Sequence, residues 1–374
     1  MDQYTRGAPP PVDPPKLSPV PVVWSPVTRH HDPRHEVWVG VPTAGTETSA
    51  RVDAILDALG GPGFELVEVE PAAERPALDA VHDPALVEFL GTAAERWAAG
   101  PYADLVGQER VVPYLFPTPA MTAGLPARPA VAIHADAGRF AYDTMTLVGP
   151  GTFAAVLAAV DCAAAAADLV SEGRPLAYAL CRPPGHHATP AGFGGSCYLN
   201  NAAVAAATLR MGGATKVGVV DIDAHQGNGT AAIFYDRADV LYGSVHVDPG
   251  AGWFPHVVGY AEETGTGAGE GATRNLPLPE GAGDEPWLAA VADLADWVGR
   301  AGCDRLVVSL GVDAAADDPE SPLQVTQAGY REAGRLLGAT GLPSVVVQEG
   351  GYHLDTLGGL VAAYLQGHSA PHGG

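Results

Sequence analysis

The chain has 374 residues, 47% hydrophobic and 17% charged, which is enough apolar material for a large core and too little charge for a disordered polymer. Its formal charge of −23 argues against an electrostatic grip on nucleic acid or on an anionic membrane and favours cationic partners. Cys162, Cys181, Cys197 and Cys303 lie far apart and form no CxxC pair, so they read as reduced, mostly buried thiols of a cytoplasmic protein.

Residues 1–19 carry five prolines between Pro9 and Pro15 and no apolar run of the signal-peptide kind, and read as an extended, disordered tail. Residues 20–374 then read as one domain. Patterning predicts a strand over 37–41, a helix over 49–59, a strand over 64–69 and a helix over 84–98 that begins at Pro84. The stretch 100–150, with prolines at 113, 117, 119, 126 and 129, shows no clear period and reads as an interface or substrate-entrance element. Helix 152–171 is mostly alanine but is interrupted by Asp161 and Asp168, which suits a buried helix better than a membrane span.

From there strands and helices alternate. Strands are expected over 176–181, 216–222, 239–246, 305–311 and 343–348, with helices over 199–211, 230–235, 285–300, 326–340 and 355–366. Such alternation implies a three-layer αβα fold around a parallel sheet, with ligands at the carboxyl ends of the strands. The unusual residues stand at those ends. Arg182-Pro183-Pro184-Gly185-His186-His187 follows the first of these strands, and Asp221, Asp223 and His225 close the next. His246-Val247-Asp248, then Asp313, Asp317 and Asp318, then Glu349-Gly350-Gly351-Tyr352 follow the other three.

On an extended chain residues two apart share a side, so Asp221, Asp223 and His225 project together. Two carboxylates and an imidazole suit a divalent cation such as zinc, and Asp313 could complete a three-ligand set with Asp223 and His225 that leaves a coordination position open. His186 and His187 beside such a site could take a proton from water and return one to a leaving amine, with Asp221 and Asn228 available to orient them. The Tyr352 hydroxyl could donate to a developing oxyanion.

The segments RPPGHHA (182–188), DIDAHQGNGT (221–230), SLGVDAAADDP (309–319) and EGGY (349–352) resemble, in matching order, the histone deacetylase superfamily. Residues 149–153, 193–203 and 246–271 look most like its bacterial acetylpolyamine amidohydrolases. The resemblance implies the arginase/deacetylase-like fold and one Zn²⁺ (Fe²⁺ or Co²⁺ as alternatives) on Asp223, His225 and Asp313. His186 and His187 would be the acid–base pair and Tyr352 the carbonyl-polarising group. It further implies a structural K⁺ at Asp221, Asp223, His225, Ser244 and Val245, a tunnel wall at Phe254 and an acidic substrate contact at Glu36. The 100–150 stretch would form a homodimer interface over the mouth.

Three departures stand out. Gln226 replaces the commoner second histidine of the DxHHG pattern, Ser196 follows Gly195 where relatives carry a tunnel-wall aromatic, and His134 stands where relatives carry an acidic ammonium anchor, for which Asp136 is the candidate substitute. The expected reaction is hydrolysis of the acyl amide of a small cationic amine. The alternatives are deacetylation of protein lysines or of a secondary metabolite, a Mn-dependent ureohydrolase that shares the Asp223-Ala224-His225 segment, or a non-catalytic relative.

Overall fold

The computed structural model describes residues 18–101 and 108–371, so most of the expected tail lies outside the described residues. Among the described residues ten strands are formed: β1 Val20–Trp24, β2 His35–Trp38, β3 Val41–Ala44, β4 Phe64–Glu68, β5 Leu176–Ala179, β6 Val217–Asp221, β7 Val240–Val247, β8 Thr273–Leu278, β9 Arg305–Leu310 and β10 Ser344–Gln348. Eight of them make one sheet in the order β4-β1-β5-β10-β9-β6-β7-β8, and every pairing in it is parallel.

Both faces of this sheet are covered, which is why its strands read as unbroken apolar runs. Side chains alternate between two cores. Val23, Ala177, Ala179, Val217, Val219, Val345 and Val347 point into one, with the helices Pro84–Ala98, Thr152–Ser171 and Asn201–Met211. Val22, Tyr178, Val220, Leu306, Val308 and Val346 point into the other, with Ala50–Ala58, Asp284–Arg300, Gln327–Gly338 and Leu354–His368. Helix Thr152–Ser171 is long and apolar enough to cross a membrane, but it packs on the sheet with Ala155, Val156, Ala159, Ala163 and Ala167 buried.

Three expectations are corrected. The strand expected over 37–41 is a hairpin, because Val39 (φ 48°) and Gly40 (φ 81°) make a two-residue turn of positive φ between β2 and β3. The sequence reading has no strand at β1, which holds Pro21; pairing with β5 begins only at Val22, so the missing N–H of Pro21 leaves no ladder bond unmade. Nor was one expected at β8, whose Pro277 is tolerated because the strand lies at the edge of the sheet.

Candidate active site

The carboxyl ends of β5, β10, β9 and β6 lie side by side at the centre of the sheet, which gathers the motif residues at one spot. Asp221 ends β6, and Asp223 and Asp313 beyond β6 and β9 are fully buried. His225 Nδ1 lies 3.2 Å from Asp223 Oδ1 and 3.2 Å from Asp313 Oδ2. Burial alone would lower the His225 pKa, but the Asp223 and Asp313 carboxylates outweigh it and push it well up. Burial and Asp223 push Asp313 up to about 7.

A Cβ at Gly311 would meet Asp223 Oδ2 at 1.9 Å, and one at Gly350 would meet Asp313 Oδ2 at 2.2 Å, so glycine lets both backbones approach. One ligand atom each from Asp223, His225 and Asp313 lies within 4.8 Å of the others, a donor set that fits one divalent cation. Asp221 is shared differently: Oδ1 accepts from Asp223 N at 3.2 Å, and Oδ2 faces His186 Nδ1 at 3.0 Å and the Tyr242 hydroxyl at 3.2 Å. Asp221 also pairs with Ser244 across β6 and β7, which sets these two of the residues named for K⁺ side by side.

The two histidines differ in charge although their ring centroids are 4.0 Å apart. Burial would lower His186, but Asp223, Asp221 and Glu349 outweigh it and carry it up to about 10. Burial, with His186 and His225 as further positive neighbours, holds His187 well below 6.5. His187 Nδ1 lies 2.8 Å from the Asn228 Oδ1 acceptor, which puts the imidazole proton on Nδ1 and leaves Nε2 as a base. A cationic and a neutral imidazole therefore stand together.

Glu349, which sequence reasoning read only as part of a motif, joins the elements. Its Oε2 accepts from Gly185 N at 2.7 Å and from His186 N at 3.1 Å. Arg51, from helix Ala50–Ala58, is fully buried and donates to Glu349 O and to Gly351 O, both at 2.6 Å. Its guanidinium lies 4.9 Å from the Tyr352 ring centroid, and Glu47 pairs with both Arg51 (2.8 Å) and Arg182 (2.9 Å). Asp318 accepts from Tyr352 N at 2.6 Å. Arg51 escaped notice because an ordinary amphipathic pattern gives no sign of partners some 300 residues away, and Glu47 because Arg182 lies 135 positions further on.

A cavity of about 270 Å³ opens onto these groups, walled by His187, His225, Tyr352, Gly195, Ser196 and Phe254, with Glu36, Trp38, Trp253, His256 and Glu320 among its other linings. Phe254 packs edge-on to His187 at 4.7 Å, and the Tyr142 hydroxyl donates to His187 O at 2.8 Å. Glu36 is buried, accepts from Trp38 Nε1 at 3.1 Å, and is pushed up to about 7 by burial and by Glu320. Glu320 was not singled out from the sequence; an acidic residue one place after Asp-Asp-Pro at a strand end was the signal available.

Two residues expected at the substrate are placed elsewhere. Asp136 is buried in ion pairs with Arg96 (2.8 Å) and Arg139 (3.0 Å), which occupy its carboxylate. His134 sits on the turn Ile133–Asp136 with its ring 5.9 Å from that of Tyr114, away from the cavity lining. At Gly227, where a two-metal site needs a further Asp, a Cβ would meet Asp221 Oδ2 at 2.3 Å, so a carboxylate has no room there.

A histone deacetylase domain matches residues 45–368. The acetylpolyamine amidohydrolase of Mycoplana ramosa is 39% identical over 349 residues, covering 92% of this chain and 98% of the relative. That of Burkholderia pseudomallei (strain 1710b) is 39% identical over 92% of this chain and 97% of its own. The crystal structure of an acetylpolyamine aminohydrolase from Burkholderia pseudomallei superposes with a TM-score of 0.87 at 37% identity, covering 94% of this chain and 99% of that one.

Proposed function

The chain belongs to the histone deacetylase family and is an amide-hydrolysing deacetylase; from that premise we propose that it removes the acetyl group of a small cationic amine, an acetylpolyamine, with one zinc ion as cofactor. The family is generally metal-dependent, and Asp223, His225 and Asp313 would hold the ion. When bound it supplies a Lewis acid for the amide carbonyl and an acidified water.

This chain's residues supply the rest. His187, neutral and with Nε2 free, takes the proton from the attacking water. The Tyr352 hydroxyl, kept protonated by burial, donates to the oxyanion. His186, cationic at neutral pH, holds a positive charge beside the reacting centre and a proton for the departing amine. Asp221 and Asn228 orient the two rings. A K⁺ ion behind the cluster, at Asp221, Asp223, His225, Ser244 and Val245, would stiffen the β6–β7 end. The observation that carries the reading is the neutral, Asn228-tethered His187 in the same cavity wall as His225 and Tyr352.

Glu36, Glu320 and Trp38 at the cavity give the amine's charge two carboxylates and an indole face. The exposed Tyr114, Met121, Leu125 and Val131 support a second copy of the chain as the partner of the loop that carries them. Four buried free cysteines are in keeping with a cytoplasmic setting. The test is acetate release by zinc-loaded protein from N-acetylputrescine, acetylspermidine, an acetyl-lysine peptide and acetylated histone. The acetylpolyamines should be preferred; efficient turnover of acetylated histone would overturn the substrate assignment.

A further inference from the structure

One wall of the cavity comes from the segment between β7 and β8, through Gly252, Trp253, Phe254 and His256. Between those strands the chain forms only two three-residue turns, Pro249–Ala251 and Gly267–Gly269, so regular structure does not hold the wall. A polar cluster behind it does. Gly259 N lies 3.0 and 2.9 Å from the two Glu263 carboxylate oxygens, and Tyr260 N donates to Glu263 Oε1 at 3.2 Å. Asn275, in β8, donates to Tyr260 O at 3.1 Å and to Glu263 Oε2 at 3.3 Å. His246, in β7, meets Gly259 O through Nε2 at 2.8 Å. The Tyr260 hydroxyl then reaches His256 O at 3.2 Å and ties the held turn to the wall.

Gln226 completes the cluster. It is buried beyond β6, donates to Asn275 Oδ1 at 3.4 Å, and lies directly under Gly259. A Cβ at Gly259, whose φ is +106°, would stand 3.0 Å from Gln226 Cγ. Gln226 Oε1 is buried with no hydrogen-bond partner, so the side chain serves the turn through its amide N–H and its aliphatic stem. The residue that departs from the DxHHG pattern therefore has a structural task of its own in this chain.

We propose that Gln226, Asn275 and Glu263 are positioning residues that hold the Trp253–His256 wall against His187 and thereby set which amines the cavity admits. The inference rests on the deacetylase reading of that cavity. Because the three residues come from the end of β6, from β8 and from the loop itself, loss of any one frees the turn while leaving the Asp223–His225–Asp313 cluster in place. Glu263 and Asn275 neither line the cavity nor touch that cluster, so their variants report on the wall alone.

The experiment compares Glu263→Ala and Asn275→Ala with wild type by hydrogen exchange and by kinetics on a slender amide, N-acetylputrescine, and a bulky one, N-(1-naphthylmethyl)acetamide. Amides of residues 253–260 should exchange about tenfold faster in both variants, with exchange elsewhere and bound metal unchanged. KM for the slender amide should rise roughly three- to tenfold with kcat near wild type, while the bulky amide gains in relative kcat/KM. Phe254→Ala should mask the change: Glu263→Ala in that background should add nothing to KM. Glu263→Gln, which keeps one carbonyl acceptor, should fall between and serves if the alanine variant does not fold. Wild-type exchange and selectivity in folded variants, or effects that multiply with Phe254→Ala, would overturn the proposal. If wild type cleaves neither amide, the deacetylase reading of the cavity fails, whereas the exchange data still decide whether the cluster holds the wall.

Discussion

Tyr352→Phe removes one hydroxyl from a side chain whose anchors lie elsewhere. The ring is held beneath Arg51 at 4.9 Å, the backbone N–H by Asp318 at 2.6 Å, and the preceding carbonyl of Gly351 by Arg51 Nε at 2.6 Å. None of these contacts uses the hydroxyl, so melting temperature and metal content should not change. The hydroxyl itself stays protonated far above neutral pH, because burial raises its pKa further than Arg51 lowers it. It is therefore a full donor at any working pH. Loss of one preorganised oxyanion donor costs about 2.7–4 kcal/mol, or roughly 10²–10³ in kcat. The cavity of about 270 Å³ leaves room for a water to take over part of the role, which places the expected loss near the lower end. The assay is acetate release at saturating N-acetylputrescine, pH 8, with zinc content and melting temperature measured on the same samples. A folded, metal-replete variant with near-wild-type kcat would refute the assignment.

Glu36, pushed up to about 7 by burial and Glu320, is neutral below that pH and negative above it. KM for a cationic acetylamine should therefore fall between pH 6 and 8 while KM for a neutral acetamide stays level, and Glu36→Gln should abolish the difference. Asp313→Ala should lose both bound metal and activity. Ser196→Tyr should spare slim acetylpolyamines and depress bulkier amides by about 1–3 kcal/mol, since it adds a ring to the cavity wall; equal rates for slim and bulky amides in both proteins would contradict this.

The strand ends were legible because a buried parallel strand announces itself by its apolar run and its polar residues then fall where the run stops. Asp221, Asp223, His225, Asp313 and the Glu349–Tyr352 turn could be placed in this way. The cavity's outer rim could not. Glu36 and Glu320 meet only because β2–β3 and the segment after β9 converge on one cavity, and that convergence has no local signature. Asp136 misled for a related reason: Arg96, the cation that claims its carboxylate, lies 40 positions earlier on a helix whose pattern shows only its apolar face. At β1 and β8 proline masked the strands, since whether a missing N–H matters depends on the neighbouring strand.

The position of β10 has a consequence for how the enzyme is made. It lies between β5 and β9, yet it is synthesised after every other strand of that sheet. Until residues 344–348 are available the sheet can exist only as two separate halves, β4-β1-β5 and β9-β6-β7-β8. A nascent chain halted before β10 carries both histidines and all three cluster ligands, but on opposite halves, with no Glu349 to bind Gly185 and His186 and no Tyr352. Activity is therefore withheld until residues 344–352 have been synthesised, and a product terminated before β10 is inert rather than partly active. The same late insertion makes the fold depend on contacts between distant parts of the sequence, so assembly should be slow for a chain of this size.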